Sequence, residues 1–226
     1  MSQLHNVLFG IYPYIAGAVF LAGSLVRFDY EPYSWRSGSS QMLRQRGMVV
    51  ASNCFHIGIL ALFLGHFVGL LTPSWVYTGL GLSVPAKQQL AIIAGGVFGS
   101  LCFVGMTMLV VRRLTDDRVR AAGGRMDTVI LLLLYAQLIL GLFSIAVSAG
   151  HPDGSVMLAL AHWAQAIVTF QGDAAAHVAE VHWLYKMHLT LGLTMFLLFP
   201  FSRLVHIWSA PFGYVLRSYQ LVRRRG

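Results

Sequence analysis

Charge is scarce in this chain. Asp, Glu, Lys and Arg make up 11% of its 226 residues, where a soluble globular domain carries about 25%. Cysteine is scarcer still: Cys54 and Cys102, each alone inside an apolar stretch. That excludes a disulfide framework, a C-x-x-C pair and the C-x-x-C-H motif that attaches haem covalently. Both cysteines read as core thiols. No Lys or Arg precedes Arg27, so the first apolar run lacks a signal peptide's basic flank and reads as a retained helix. Repeats, low-complexity segments and interior linkers are also lacking, so residues 1–226 read as a single domain.

What is present is apolar: 57% of residues, with a mean hydropathy of +0.67. A bilayer core roughly 30 Å thick needs about 20 apolar residues in a helix. Five stretches meet that length, over 7–26, 51–71, 90–111, 129–147 and 184–208. The expected fold is an all-α polytopic membrane protein with five transmembrane helices. Pro13 and Pro200 fall inside the first and fifth stretches, where each should kink the helix or free a carbonyl. Gly95, Gly96 and Gly99 read as a helix-packing face on the third.

The net charge of +8 could suggest nucleic acid, but its placement points to membrane orientation instead. The connection after the first stretch carries Arg27, Arg36, Arg44 and Arg46. The connection after the third carries Arg112, Arg113, Arg118, Arg120 and Arg125. The tail carries Arg217, Arg223, Arg224 and Arg225. The opposite connections carry only Lys87, with no Lys or Arg before the first stretch or between Val147 and Leu184. Thirteen against one predicts a cytoplasmic C-terminus and an outer N-terminus. The outer connection from Ser148 to Trp183 opens on a turn, His151-Pro152-Asp153-Gly154. Its apolar portion, Met157 to Phe170, is suited to lie along the interface.

Five of the nine histidines, His5, His151, His162, His177 and His182, fall at outer ends or in the outer connection, where a wet imidazole costs little. His56, His66, His188 and His206 fall inside the second and fifth stretches. A polar ring in hydrocarbon needs a partner, so each is a candidate functional residue. The two helices run antiparallel, so the four pair by depth: His56 with His206 near the inner face, His66 with His188 near the outer. Two same-depth pairs suit axial ligation of two stacked haems, each iron taking one imidazole from either side. If the fifth stretch is helical throughout, His188 and His206 share a face and stand about 27 Å apart along the axis. His56 and His66 stand about 15 Å apart. The disagreement requires crossing helices, tilted rings or a kink at Pro200, with an iron separation of roughly 20 Å. Singly, each histidine is as well explained by a packing hydrogen bond. A zinc site fits less well, because the pairs are too far apart for one tetrahedral centre. Haem propionates want basic partners: Arg112, Arg113 and Arg203 inside, Lys87 and Lys186 outside, although each lysine also reads as a snorkelling anchor.

Several segments carry a family resemblance. They are Ile11-Tyr-Pro-Tyr-Ile-Ala-Gly-Ala-Val-Phe20, Ser39-Ser-Gln-Met-Leu43, Ala51-Ser-Asn-Cys-Phe-His-Ile-Gly-Ile-Leu60, Gly65-His66 and Leu198-Phe-Pro-Phe-Ser-Arg-Leu-Val-His-Ile-Trp208. The chain resembles the cytochrome b (gamma) subunits of respiratory nitrate reductases. The resemblance implies two non-covalent b haems, on His56 and His206 and on His66 and His188. It implies a quinol site beside the outer haem, with Lys87 matching the family lysine and Gly65 and His66 close by. It also implies a bacterial cytoplasmic (inner) membrane location. There, menaquinol or ubiquinol is oxidised near the outer face with proton release outside. Electrons pass through the two haems to an iron–sulfur subunit and a molybdenum catalytic subunit on the cytoplasmic face. Between Thr72 and Lys87 the chain departs from the family pattern. A related rival is the two-haem anchor of a formate dehydrogenase or a sulfur-compound reductase. A rival of another class is a haem-free transporter or proton channel, which would need polar residues along one pathway. The third and fourth stretches offer chiefly Ser100, Thr107 and Gln137.

Overall fold

A computed structural model describes residues 2–35, 40, 43 and 45–209. Arg36, Arg44, the tail arginines and part of the Ser39–Leu43 motif lie outside the described residues. Five helices are long and apolar enough to cross a membrane: Gln3–Tyr30, Met48–Leu71, Val84–Thr115, Arg125–Ala149 and Trp183–Phe201. We call them spans one to five. Each of the first four contains its expected stretch and extends it by three residues or more at one or both ends, because polar residues at an interface cost little.

Consecutive spans pack as neighbours from two to five, and span one packs on span five instead of span two. Two apolar clusters hold this order. One joins Cys102, Met106, Val110 and Leu138 of spans three and four to Phe55, Ile59 and Leu62 of span two. The seam is close because Gly58 has no side chain: a Cβ there would lie 2.6 Å from the Cys102 Cβ. The other cluster gathers Phe9, Trp163, Val178 and Tyr185 against Leu70, Leu71 and Val147. It ties four span ends to the long connection. The interfacial segment of that connection is a helix, Ser155–Val168. The expected turn precedes it, closed by the Gly154 N–H donating to the His151 carbonyl.

The two prolines inside spans have different consequences. Pro13 has no N–H to give the Phe9 carbonyl, four residues back. The helix widens to a π-type turn over Val7–Ile11, and the buried Trp163 Nε1–H donates to that carbonyl at 2.9 Å. Pro200 ends its helix. The α-helical part of span five stops at Leu198, a tight turn follows over Phe199–Phe201, and Ser202 is extended. The chain then resumes as a 3₁₀ segment, Arg203–Ser209. The expectation of one helix through Trp208, with His188 and His206 on a shared face, is therefore corrected. Two features fix the break. The Ser202 hydroxyl donates to the Phe199 carbonyl and accepts from the Leu204 N–H. Arg27 of span one donates through Nη1 to the carbonyls of Pro200 (2.6 Å) and Ser202 (2.8 Å).

Candidate functional site

The four candidate histidines stand in two environments. At His56 the Nδ1–H donates to the Ser52 carbonyl, and at His66 to the Leu62 carbonyl, each at 2.7 Å. At His206 it donates to the Arg203 carbonyl at 2.5 Å. A carbonyl only accepts, so Nδ1 carries the proton in all three and Nε2 keeps its lone pair. That is how an imidazole is prepared as a metal ligand, with one nitrogen anchored to backbone and the other basic. His188 is held differently. Gln137 of span four donates to its carbonyl at 3.1 Å and lies 3.3 Å from its Nε2, while its Nδ1 is buried without a protein partner. Span four makes room for this ring at Gly141, where a Cβ would sit 3.1 Å from His188 Cε1.

The rings of His66 and His188 face each other across spans two and five, with centroids 6.0 Å apart and planes inclined by 35°. Metal–imidazole bonds are about 2 Å long, which puts the centroids of two imidazoles on opposite sides of one iron about 6 Å apart. Spans two and five do not otherwise pack closely. Among the described residues no three His, Cys, Asp or Glu side chains converge as a metal site. A macrocycle that brings four nitrogens of its own needs only two from the protein, and the His66–His188 pair fits that demand. His56 and His206 are not in ring contact, and His206 lies beyond the break at Ser202. Their shared end of the bundle carries an ionic cluster. Asp127 pairs with Arg203 and lies 3.8 Å from Arg113. Arg112 donates to the Ser40 carbonyl at 2.5 Å.

At the other end, Lys87 Nζ donates to the Gly69 carbonyl at 2.9 Å, one turn beyond Gly65 and His66. A Cβ added at Gly65 or Gly69 would meet nothing within 4 Å, so this face of span two is flat and open beside His66. Lys186 donates to the Ala179 carbonyl. In spans three and four, Thr107 bonds the Phe103 carbonyl and the Tyr135 hydroxyl, and Gln137 bonds His188.

Four residues gain a role the sequence reading did not give them: Gln137 at His188, Arg27 at the span-five break, Asp127 beside Arg203, and Tyr77, whose ring lies beneath Lys87. Gln137 and Asp127 carried a weak signal as isolated polar residues in or near apolar spans. Tyr77 carried none.

A family model described as the nitrate reductase gamma subunit matches residues 5–225. The chain is 54% identical over 225 residues to the respiratory nitrate reductase 1 gamma chain of Escherichia coli, covering 100% of both chains. It is 52% identical to that organism's respiratory nitrate reductase 2 gamma chain, again over 100% of both. With the nitrate reductase gamma chain of Bacillus subtilis it shares 33% identity, over 97% of this chain and 98% of the other.

Proposed function

Because the chain belongs to the nitrate reductase gamma subunit family, we propose that it is the quinol-oxidising membrane subunit of a respiratory nitrate reductase. The observation that carries this reading is the His66–His188 pair, with ring centroids 6.0 Å apart on two otherwise separated spans. His66 and His188 would hold one b-type haem, and His56 and His206 the other. Arg112 and Arg203 would be the basic partners of the propionates at the second site. When bound, the two haems supply one-electron carriers inside the bilayer.

The chain's own residues do the rest. Lys87 offers ammonium N–H donors to a quinol oxygen at the end of span two that carries His66. Gly65 and Gly69 leave the helix surface flat enough for a ring to lie against it. Oxidation of one quinol, menaquinol or ubiquinol, gives up two electrons and two protons. In the orientation that the arginine placement predicts, Lys87 would lie at the outer face of the bacterial inner membrane, and the protons would leave outside. The electrons are delivered at the Arg113 end, where an iron–sulfur subunit and, beyond it, a molybdenum catalytic subunit would dock. Carrying an electron inward works against the membrane potential, up to about 2.3 kcal/mol per 100 mV for a full crossing. The reaction therefore contributes to the proton-motive force.

An absorption spectrum of the purified chain, oxidised and then reduced with dithionite, tests the reading. The expected result is a b-type α band with two haems per chain. A haem-to-protein ratio near zero would overturn it.

A further inference from the structure

The carbonyl of Gly69 lacks its helical partner for a definite reason. The donor would be the N–H of residue 73, which is proline. Lys87 Nζ takes that place at 2.9 Å, while Gln165 serves the neighbouring Leu70 carbonyl at 2.9 Å. The two side chains cap the C-terminal end of span two, where positive charge and donors are favourable.

A cap alone would leave the lysine little constrained. Its four-carbon stem is flexible, and a lysine near the end of a membrane span ordinarily snorkels outward to water. Here the ammonium is held from a second side. Tyr77, on the short helix Ser74–Gly79 between spans two and three, is 6% exposed. Lys87 Nζ lies 4.0 Å from the centroid of its ring. A ring face attracts a cation without taking one of its hydrogen bonds in the usual sense. Of the three N–H groups of the ammonium, one goes to Gly69 and the others remain for a ligand oxygen.

We infer that Tyr77 is the positioning residue of the quinol site, its ring face holding the Lys87 ammonium beside His66, Gly65 and Gly69. The inference rests on the reading of Lys87 as the quinol residue. It assigns the work to the ring and none to the hydroxyl, which is buried without a protein partner.

The test uses the assembled complex in native membranes, with decyl-ubiquinol and menadiol as electron donors at varied concentration. Tyr77→Leu is expected to raise KM about tenfold with kcat reduced less than twofold and haem content unchanged. Tyr77→Phe keeps the ring face and is expected to stay within about twofold of the unsubstituted complex. In a Lys87→Ala background, Tyr77→Leu is expected to add nothing. An unchanged KM in Tyr77→Leu, a Tyr77→Phe variant as impaired as Tyr77→Leu, or full additivity with Lys87→Ala would each overturn the inference. Should Tyr77→Leu lose its haem, the same comparison is made with Tyr77→Met, which fills the space without a ring. The two readings fail separately. Lys87→Ala with unchanged quinol oxidation sinks the quinol assignment, whereas an impaired Lys87→Ala beside an unaffected Tyr77→Leu sinks only the role of Tyr77.

Discussion

His66 on span two and His188 on span five present their rings to each other at 6.0 Å, although 122 residues separate them in sequence and their helices scarcely touch elsewhere. Each ring is fixed from its own side: His66 by the Leu62 carbonyl that accepts its Nδ1–H, His188 by Gln137, which donates to its carbonyl, and by the space left at Gly141. Replacing either ring with tyrosine should lower haem from two per chain to one and stop quinol oxidation. His56→Tyr or His206→Tyr should also leave one haem, but with a different α-band position, and should block delivery of electrons to nitrate. Low-temperature difference spectra of the four variants check this. Four identical residual spectra would show that the histidines do not pair by depth.

Arg27 should be the residue on which the break in span five depends. Its guanidinium donates to the carbonyls of Pro200 and Ser202, and also to the Ser34 hydroxyl and carbonyl. Arg27→Ala leaves buried carbonyls without donors, at a cost of about 1–3 kcal/mol. The expected outcome is a lower melting temperature and loss of the His56–His206 haem ahead of the other. Arg27→Lys should recover only part of the loss, because one ammonium cannot reproduce the planar fork. Thermal melts followed at the haem band would show the order of loss.

Trp163 and Pro13 should be coupled. Trp163→Phe keeps the packing and removes the N–H that serves the Phe9 carbonyl, with an expected cost of about 1–3 kcal/mol. Pro13→Ala restores a backbone N–H in the first span, so the double variant should be more stable than Trp163→Phe alone. A double-mutant cycle of unfolding midpoints measures the coupling. Simple additivity would mean that the π-type turn does not depend on the missing proline donor.

The membrane spans were legible because they are local: twenty apolar residues declare themselves without reference to anything distant. The closeness of His66 and His188 agrees with the same runs, since alternating spans reverse direction. The interfacial helix Ser155–Val168 and the turn at Gly154 were legible for a similar reason. The path after Pro200 was not. A proline announces a possible break, but whether the helix bends or stops depends on who takes the freed carbonyls. The answer, Arg27, lies 173 residues away from Pro200. Along the sequence Arg27 is only one positive charge among the thirteen of the predicted inner face.

By itself, then, the sequence determined the five spans and set His56, His66 and His188 on the second and fifth of them. All of these come from hydropathy and spacing along the chain. Only the tertiary structure decided that the His66 and His188 rings stand 6.0 Å apart, that His206 sits on a separate 3₁₀ segment, and that Lys87 rests between the Gly69 carbonyl and the Tyr77 ring. The physical reason is the same in each case. In a medium without water, every freed carbonyl and every charged or polar side chain must find a partner within the protein. Which partner it finds depends on how the spans pack.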